Sequence, residues 1–273
     1  MIIDFHAHIF PDELAKRAMD ALTSDLIVPL KPVTDGTHSG LIRHMDLSGV
    51  DISVIQPVVT KQSQTVGLNE WAMNIQSDRI ISFGGIFPHT DDYRRDIDYL
   101  ASLGFKGIKF HPEYQQYIVD EPRALKIYDY ALSRGFILLF HAGMDVGFHP
   151  PYKSSPKLFR NIVEAMRGGV IIAAHLGGHQ EWKDVERHLV GTDIYLDTSM
   201  GFEYYPQELF LRIARDHGAD KILFGSDSPW SDAKTEIEHI RALPLSDSEK
   251  EMILSGNARR LLEMAGATVR TGS

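Results

Sequence analysis

Eight short runs rich in Ile, Val, Leu, Phe and Tyr recur along this chain, at roughly 2–8, 51–58, 80–87, 106–111, 136–141, 169–175, 193–198 and 221–226. They are mostly apolar rather than alternating, which is the pattern of strands buried on both faces. Between them lie stretches with apolar residues at helical spacing: Asn69 to Gln76, Asp92 to Leu103, Pro122 to Ser133, Pro156 to Met166, Gln180 to Leu189, Pro206 to His217 and Thr235 to Leu243. Several begin at proline or an acidic residue, as helix N-termini prefer. Strand-helix alternation eight times over, with no break in composition, predicts one closed (β/α)8 TIM barrel of α/β class. Residues 1–273 are expected to form this single domain, with the small, polar segment Ala267 to Ser273 as a loose tail.

Composition narrows the function. A chain of 273 residues, 43% of them hydrophobic, can bury a full core. No run approaches the ~18 apolar residues of a membrane span. The first strand begins at residue 2, which leaves no room for a signal peptide. A cytoplasmic protein without a membrane partner is expected. The net charge of −9, with no basic block, argues against a nucleic-acid surface. Zero cysteines exclude disulfides and thiolate ligands, so any ion must be held by carboxylates and the 13 histidines.

The polar residues that interrupt the apolar runs fall at strand C-terminal ends, where barrel enzymes carry their chemistry. His6 and His8 stand at i and i+2 of the first strand and so share one face. The runs 136–141 and 169–175 close in His141 and His175, and Asp227 follows the run 221–226. One histidine after an apolar run is most often structural. Four strand ends converging on one mouth instead predict that His6, His8, His141, His175 and Asp227 surround a common point. Lys109 and His111 share a face of the run 106–111, which makes both candidates for the mouth. Asp145, His149 and Tyr152, in the loop after 136–141, and Trp230, just beyond Asp227, are candidate substrate contacts. Asp4 and Asp197 are candidates to orient ligating histidines. His38, His44, His188, His217 and His239 are expected to be solvated.

The motifs Asp4-Phe5-His6-Ala7-His8, Phe140-His141-Ala142-Gly143, His175-Leu176-Gly177-Gly178, Phe224-Gly225-Ser226-Asp227-Ser228-Pro229-Trp230 and the closing Gly256-Asn257-Ala258-Arg259-Arg260-Leu261-Leu262 together resemble the amidohydrolase superfamily. Within it they are most similar to the aminocarboxymuconate semialdehyde decarboxylase-like branch. The resemblance implies that His6, His8, His141 and Asp227 bind one divalent metal, zinc first and manganese second, with His175 beside it as an acid/base or polarising group. It also implies that such barrels often assemble as homo-oligomers. Two-metal members carry a carboxylated lysine near Lys109; the one-metal reading is preferred because the decarboxylase-like branch does not require that bridge.

Three functions compete on these residues. The leading one is hydrolysis of a small polar or carboxylated substrate by metal-activated water, with Asp227 taking the water's proton and His175 steadying the oxyanion. The second is non-oxidative decarboxylation of a small aromatic or unsaturated acid. It would favour arginines near the mouth, and the loops after these strands carry none. The third, an inactive binding scaffold, is disfavoured because every metal-competent position is filled.

Overall fold

The structure, a computed structural model, describes residues 1–24 and 26–269. Its strands are β1 (Ile3–Ala7), β2 (Ile52–Ile55), β3 (Ile80–Ser82), β4 (Gly84–Gly85), β5 (Gly107–Phe110), β6 (Ile137–Phe140), β7 (Ile171–Ala173), β8 (Tyr195–Asp197) and β9 (Ile222–Leu223). They pair in parallel as β1-β2-β3 and as β4 through β9 in order. β3 and β4 form one stave interrupted at Phe83, whose N–H still donates to Ile55 O at 2.9 Å. At the other seam Phe5 N–H donates to Phe224 O at 2.8 Å and Ala7 bridges Ser228 in parallel. The two sheets therefore meet edge to edge, and the chain forms the α/β barrel that its strand-helix alternation predicts.

The two-residue period of the strands sorts the core into two layers. Ile3, Phe5, Val54, Leu139, Ile172 and Leu223 belong to an inner cluster, while Leu138, Phe140, Ile171, Ala173 and Ile222 join the layer between sheet and helices. Ala258, Leu261 and Leu262 of helix Asn257–Met264 plug the inner cluster. Val269 joins them and Ala267 packs alongside, so part of the segment expected to be a loose tail is structural. Its remainder, 270–273, lies outside the described residues. Gly107 is required by this interior, because a Cβ there would stand 2.3 Å from the Phe83 ring.

The expected helices include none between β1 and β2, yet the structure has two, Asp12–Thr23 and His38–Ser48. The first carries Ala15, Ala18, Met19 and Leu22 at helical spacing, with Ala15 and Met19 buried. Among the described residues no helix is long and apolar enough to cross a membrane. His217 departs from expectation: it is buried, with Nδ1 accepting from Gly191 N–H at 3.1 Å and Nε2 at 2.9 Å from Ile194 O.

Glu236, on helix Ala233–Ala242, is buried and accepts the Phe202 N–H at 3.2 Å. Burial raises its carboxyl from 4.5 to about 7. A group that binds its proton more tightly when folded contributes most below its unfolded pKa, and that contribution is lost as pH rises toward 7. At about 1.4 kcal/mol per pH unit the loss amounts to roughly 3 kcal/mol. Glu236→Gln is expected to flatten this decline. Urea midpoints at pH 5 and pH 8 check it, and equal declines in the two proteins would refute it.

Candidate active site

Local distortions at strand ends aim the polar residues into the barrel mouth. The β1-β2 register shifts between Asp4 and Ala7. Phe5 thus faces the inner cluster while Ala7 faces the helices, and the bulge re-aims the histidines between and beyond them. Asp4 pins this bulge: its carboxylate accepts from His6 N–H at 3.1 Å, Ser226 N–H at 2.9 Å and Ser226 O–H at 2.6 Å. It thereby holds backbone and a serine, not a histidine ring as expected. Gly225 permits the contact, since a Cβ there would lie 2.8 Å from His6 Cβ. His175, Leu176 and Asp227 adopt left-handed φ values of 58°, 55° and 67°, which turn the ends of their strands toward the mouth.

His6 Nε2 and His8 Nε2 lie 3.2 Å apart, and Asp227 Oδ1 stands 3.3 Å from the first and 3.2 Å from the second. His6 Nδ1 faces Asp197 Oδ2 at 2.8 Å, so its proton sits there and the lone pair is on Nε2, where it faces both this group and Lys109 Nζ, 2.9 Å away. Burial first, then the Lys109 charge, holds His6 well below the usual histidine range, so it is neutral. Three electron-rich atoms converging in this way fit a cation. Their separations also match the ~3.3–3.4 Å edge of a tetrahedron with ~2.0–2.1 Å zinc-ligand bonds.

A proton chain starting at Asp197 fixes the remaining tautomers. Ser199 donates its hydroxyl to Asp197 Oδ1, so its oxygen accepts from His175 Nδ1–H at 2.9 Å. His175 Nε2 must then accept from His141 Nδ1–H, at 3.0 Å. His141 is left with a lone pair on Nε2, which is buried and has no hydrogen-bond partner among the described residues, as a cation ligand would be. Burial keeps His141 and His175 well below the ordinary histidine range. Both nitrogens of His175 are thus engaged by protein. Through these contacts it is tied to the His141 ring, and it also lines the cavity at the barrel mouth.

His141 falls into a second group, with His111 and Asp145, instead of joining His6, His8 and Asp227. Asp145 Oδ2 stands 3.3 Å from His111 Nε2 and 4.0 Å from His141 Nε2. The two rings stack at 4.3 Å and 10°. Hydrogen bonding and the positive ring edges hold the Asp145 carboxyl well below its usual range despite burial. Lys109 is buried, with Nζ 2.9 Å from His6 Nε2; burial lowers it to about 8, opposed by Asp227, Asp197 and Asp145, so it stays mainly cationic at neutral pH.

These residues floor a cavity of about 230 Å³ that is also lined by Trp230, His179, Gln56 and Tyr114. His149 is exposed, and neither it nor Tyr152 lines the cavity. The second half of their loop is anchored by Lys153 to Glu113 and by Gly143 N–H to Ser154 O at 2.8 Å. Glu113 therefore faces Lys153, not the mouth. Ser199, Gln56 and Tyr114 escaped sequence reading; only the position of Gln56 just past β2 could have flagged it.

Comparison with known proteins comes to the same architecture. A family model described as Amidohydrolase matches residues 3–264. No curated protein sequence matches the chain. Among solved structures, an uncharacterized TIM-barrel protein from Bordetella bronchiseptica is 20% identical, with a TM-score of 0.76 over 97% of this chain and 99% of its own. The 5-carboxyvanillate decarboxylase of Sphingomonas paucimobilis is 15% identical, with a TM-score of 0.69 over 96% and 98%. A protein described as a probable 2-pyrone-4,6-dicarboxylic acid hydrolase from Acinetobacter baumannii is 18% identical, with a TM-score of 0.66 over 96% and 99%.

Proposed function

The chain belongs to the amidohydrolase family, and on that premise we propose that it is a metal-dependent hydrolase that cleaves a small molecule with water at the floor of its cavity. The observation that carries this reading is the convergence of His6 Nε2, His8 Nε2 and Asp227 Oδ1 within 3.3 Å of one another. These three would hold one divalent ion, zinc by the spacing, whereas the free Nε2 of His141 belongs to the second group. Such an ion supplies a Lewis acid and lowers the pKa of water toward ~7. Asp227 accepts the proton of the attacking water and returns it to the leaving group. Lys109, His111 and Trp230, which line the cavity, bind and orient the substrate in this reading, with Asp145 positioning His111 by its 3.3 Å contact.

Decarboxylation is the second reading, and Lys109 favours it, because a buried ammonium on the floor can hold one substrate carboxylate. Carbon dioxide release from aromatic acids, measured beside acid release from esters, lactones and amides, separates the two. A decarboxylase would give only the former.

Metal content tests the shared premise. Protein purified without added metal is expected to carry about one zinc or manganese ion per chain by inductively coupled plasma mass spectrometry, and His6→Ala is expected to lose it. No metal in the wild type, or an unchanged content in His6→Ala, would overturn the assignment; two ions would extend it to the His111, His141 and Asp145 group.

A further inference from the structure

Above its polar floor the cavity turns apolar. Ile9, Phe10, Leu22, Leu26, Leu30 and Val146 line it there. Among the described residues the lining contains no arginine, and its one lysine, Lys109, lies on the floor against His6. The segment 26–33 crosses the mouth as a strap. It is tied on one side by Ile27 N–H to Val146 O at 2.8 Å and on the other by Val33 N–H to Pro229 O at 2.8 Å. Leu26 and Leu30 line the cavity from this strap, whereas Ile27 is 44% exposed.

We propose that the substrate of this site has an uncharged aryl or alkyl body packed beneath the strap, with a single polar group reaching the floor. The inference rests on the hydrolytic reading for what happens to that group, but not for how the body is recognised. A charged group on the body would lose its hydration against Leu22, Leu26 and Leu30 and find no opposite charge there to replace it. The cavity, about 230 Å³, is of a size that takes a small molecule. The floor, in contrast, offers Lys109 and the histidines to one anionic or polar head. One carboxylate is accommodated and a second, on the body, is rejected.

Isothermal titration calorimetry on the metal-loaded full chain tests this with two probes that need no turnover, phenylacetate and 4-carboxyphenylacetate. They present the same head and differ by one carboxylate on the ring. Phenylacetate is expected to bind at least ~10-fold more tightly, since an unpaired carboxylate is poorly tolerated in an apolar chamber. Leu26→Arg is expected to shrink or reverse that ratio, and Ile27→Arg, on the outer face of the same strap, to keep it. Equal affinities, preference for the dicarboxylate, or no measurable binding of either probe would overturn the proposal. A retained ratio with no hydrolysis of any neutral ester or lactone would instead count against the hydrolytic reading alone.

Discussion

Asp227→Asn is expected to lower kcat by about 10²–10⁴-fold, the range a positioned proton acceptor contributes, while metal content falls only partly. The amide oxygen can still occupy the place of Oδ1, 3.3 Å from His6 Nε2 and 3.2 Å from His8 Nε2. It has no negative charge and cannot take a proton from water. Folding should be preserved, because asparagine tolerates the left-handed φ of 67° at this position. The backbone contacts there, Asp227 N–H to His6 O at 2.7 Å and Trp230 N–H to Asp227 O at 2.8 Å, do not involve the side chain. Steady-state kinetics paired with metal analysis check the outcome. An unchanged kcat would remove Asp227 as the proton acceptor, and complete metal loss would make it a ligand above all.

The second large effect is expected at a residue that does not line the cavity. Asp197 is fully buried and accepts from His6 Nδ1–H at 2.8 Å, His175 N–H at 3.0 Å, Ser199 N–H at 3.1 Å and the Ser199 hydroxyl. Asp197→Ala strands all of these donors in a dry interior, at about 1–3 kcal/mol for each one left unpaired. Partial relaxation brings the expected destabilisation to roughly 3–5 kcal/mol, a large share of the ~5–15 kcal/mol that a domain typically has. It also releases the His6 and His141 tautomers, so metal affinity should fall about 10–100-fold. Urea unfolding and competition with a chelator measure the two effects separately. A loss of stability below ~1 kcal/mol with unchanged metal affinity would show that the Asp197 network does not organise the site.

Much of this protein is legible without coordinates. The barrel can be read from the apolar runs, since a strand buried on both faces leaves a local signature wherever it occurs. That His6, His8, His141, His175 and Asp227 line one cavity can be read as well, because parallel strands in a barrel bring their C-terminal ends to one mouth, but the separation of His141 from His6, His8 and Asp227 cannot. Ser199 could not be found in the same way. Its meaning lies in contacts with His6, 193 residues away, and His175, 24 away, and nothing in a lone serine announces them. His149 and Tyr152 failed for the opposite reason. Proximity to His141 along the chain suggested the cavity, but neither residue lines it and His149 is exposed.

Local pattern, then, determined the strands, most of the helices and the gathering of imidazoles and a carboxylate at one end of the barrel, because two-residue and helical periods are written into consecutive residues. Tertiary structure decided which atoms face one another. The bulge in β1, the left-handed turns at His175 and Asp227, the proton chain from Asp197 to His141 and the apolar strap over the mouth all depend on contacts between distant segments, and such contacts leave no trace in the order of neighbouring residues.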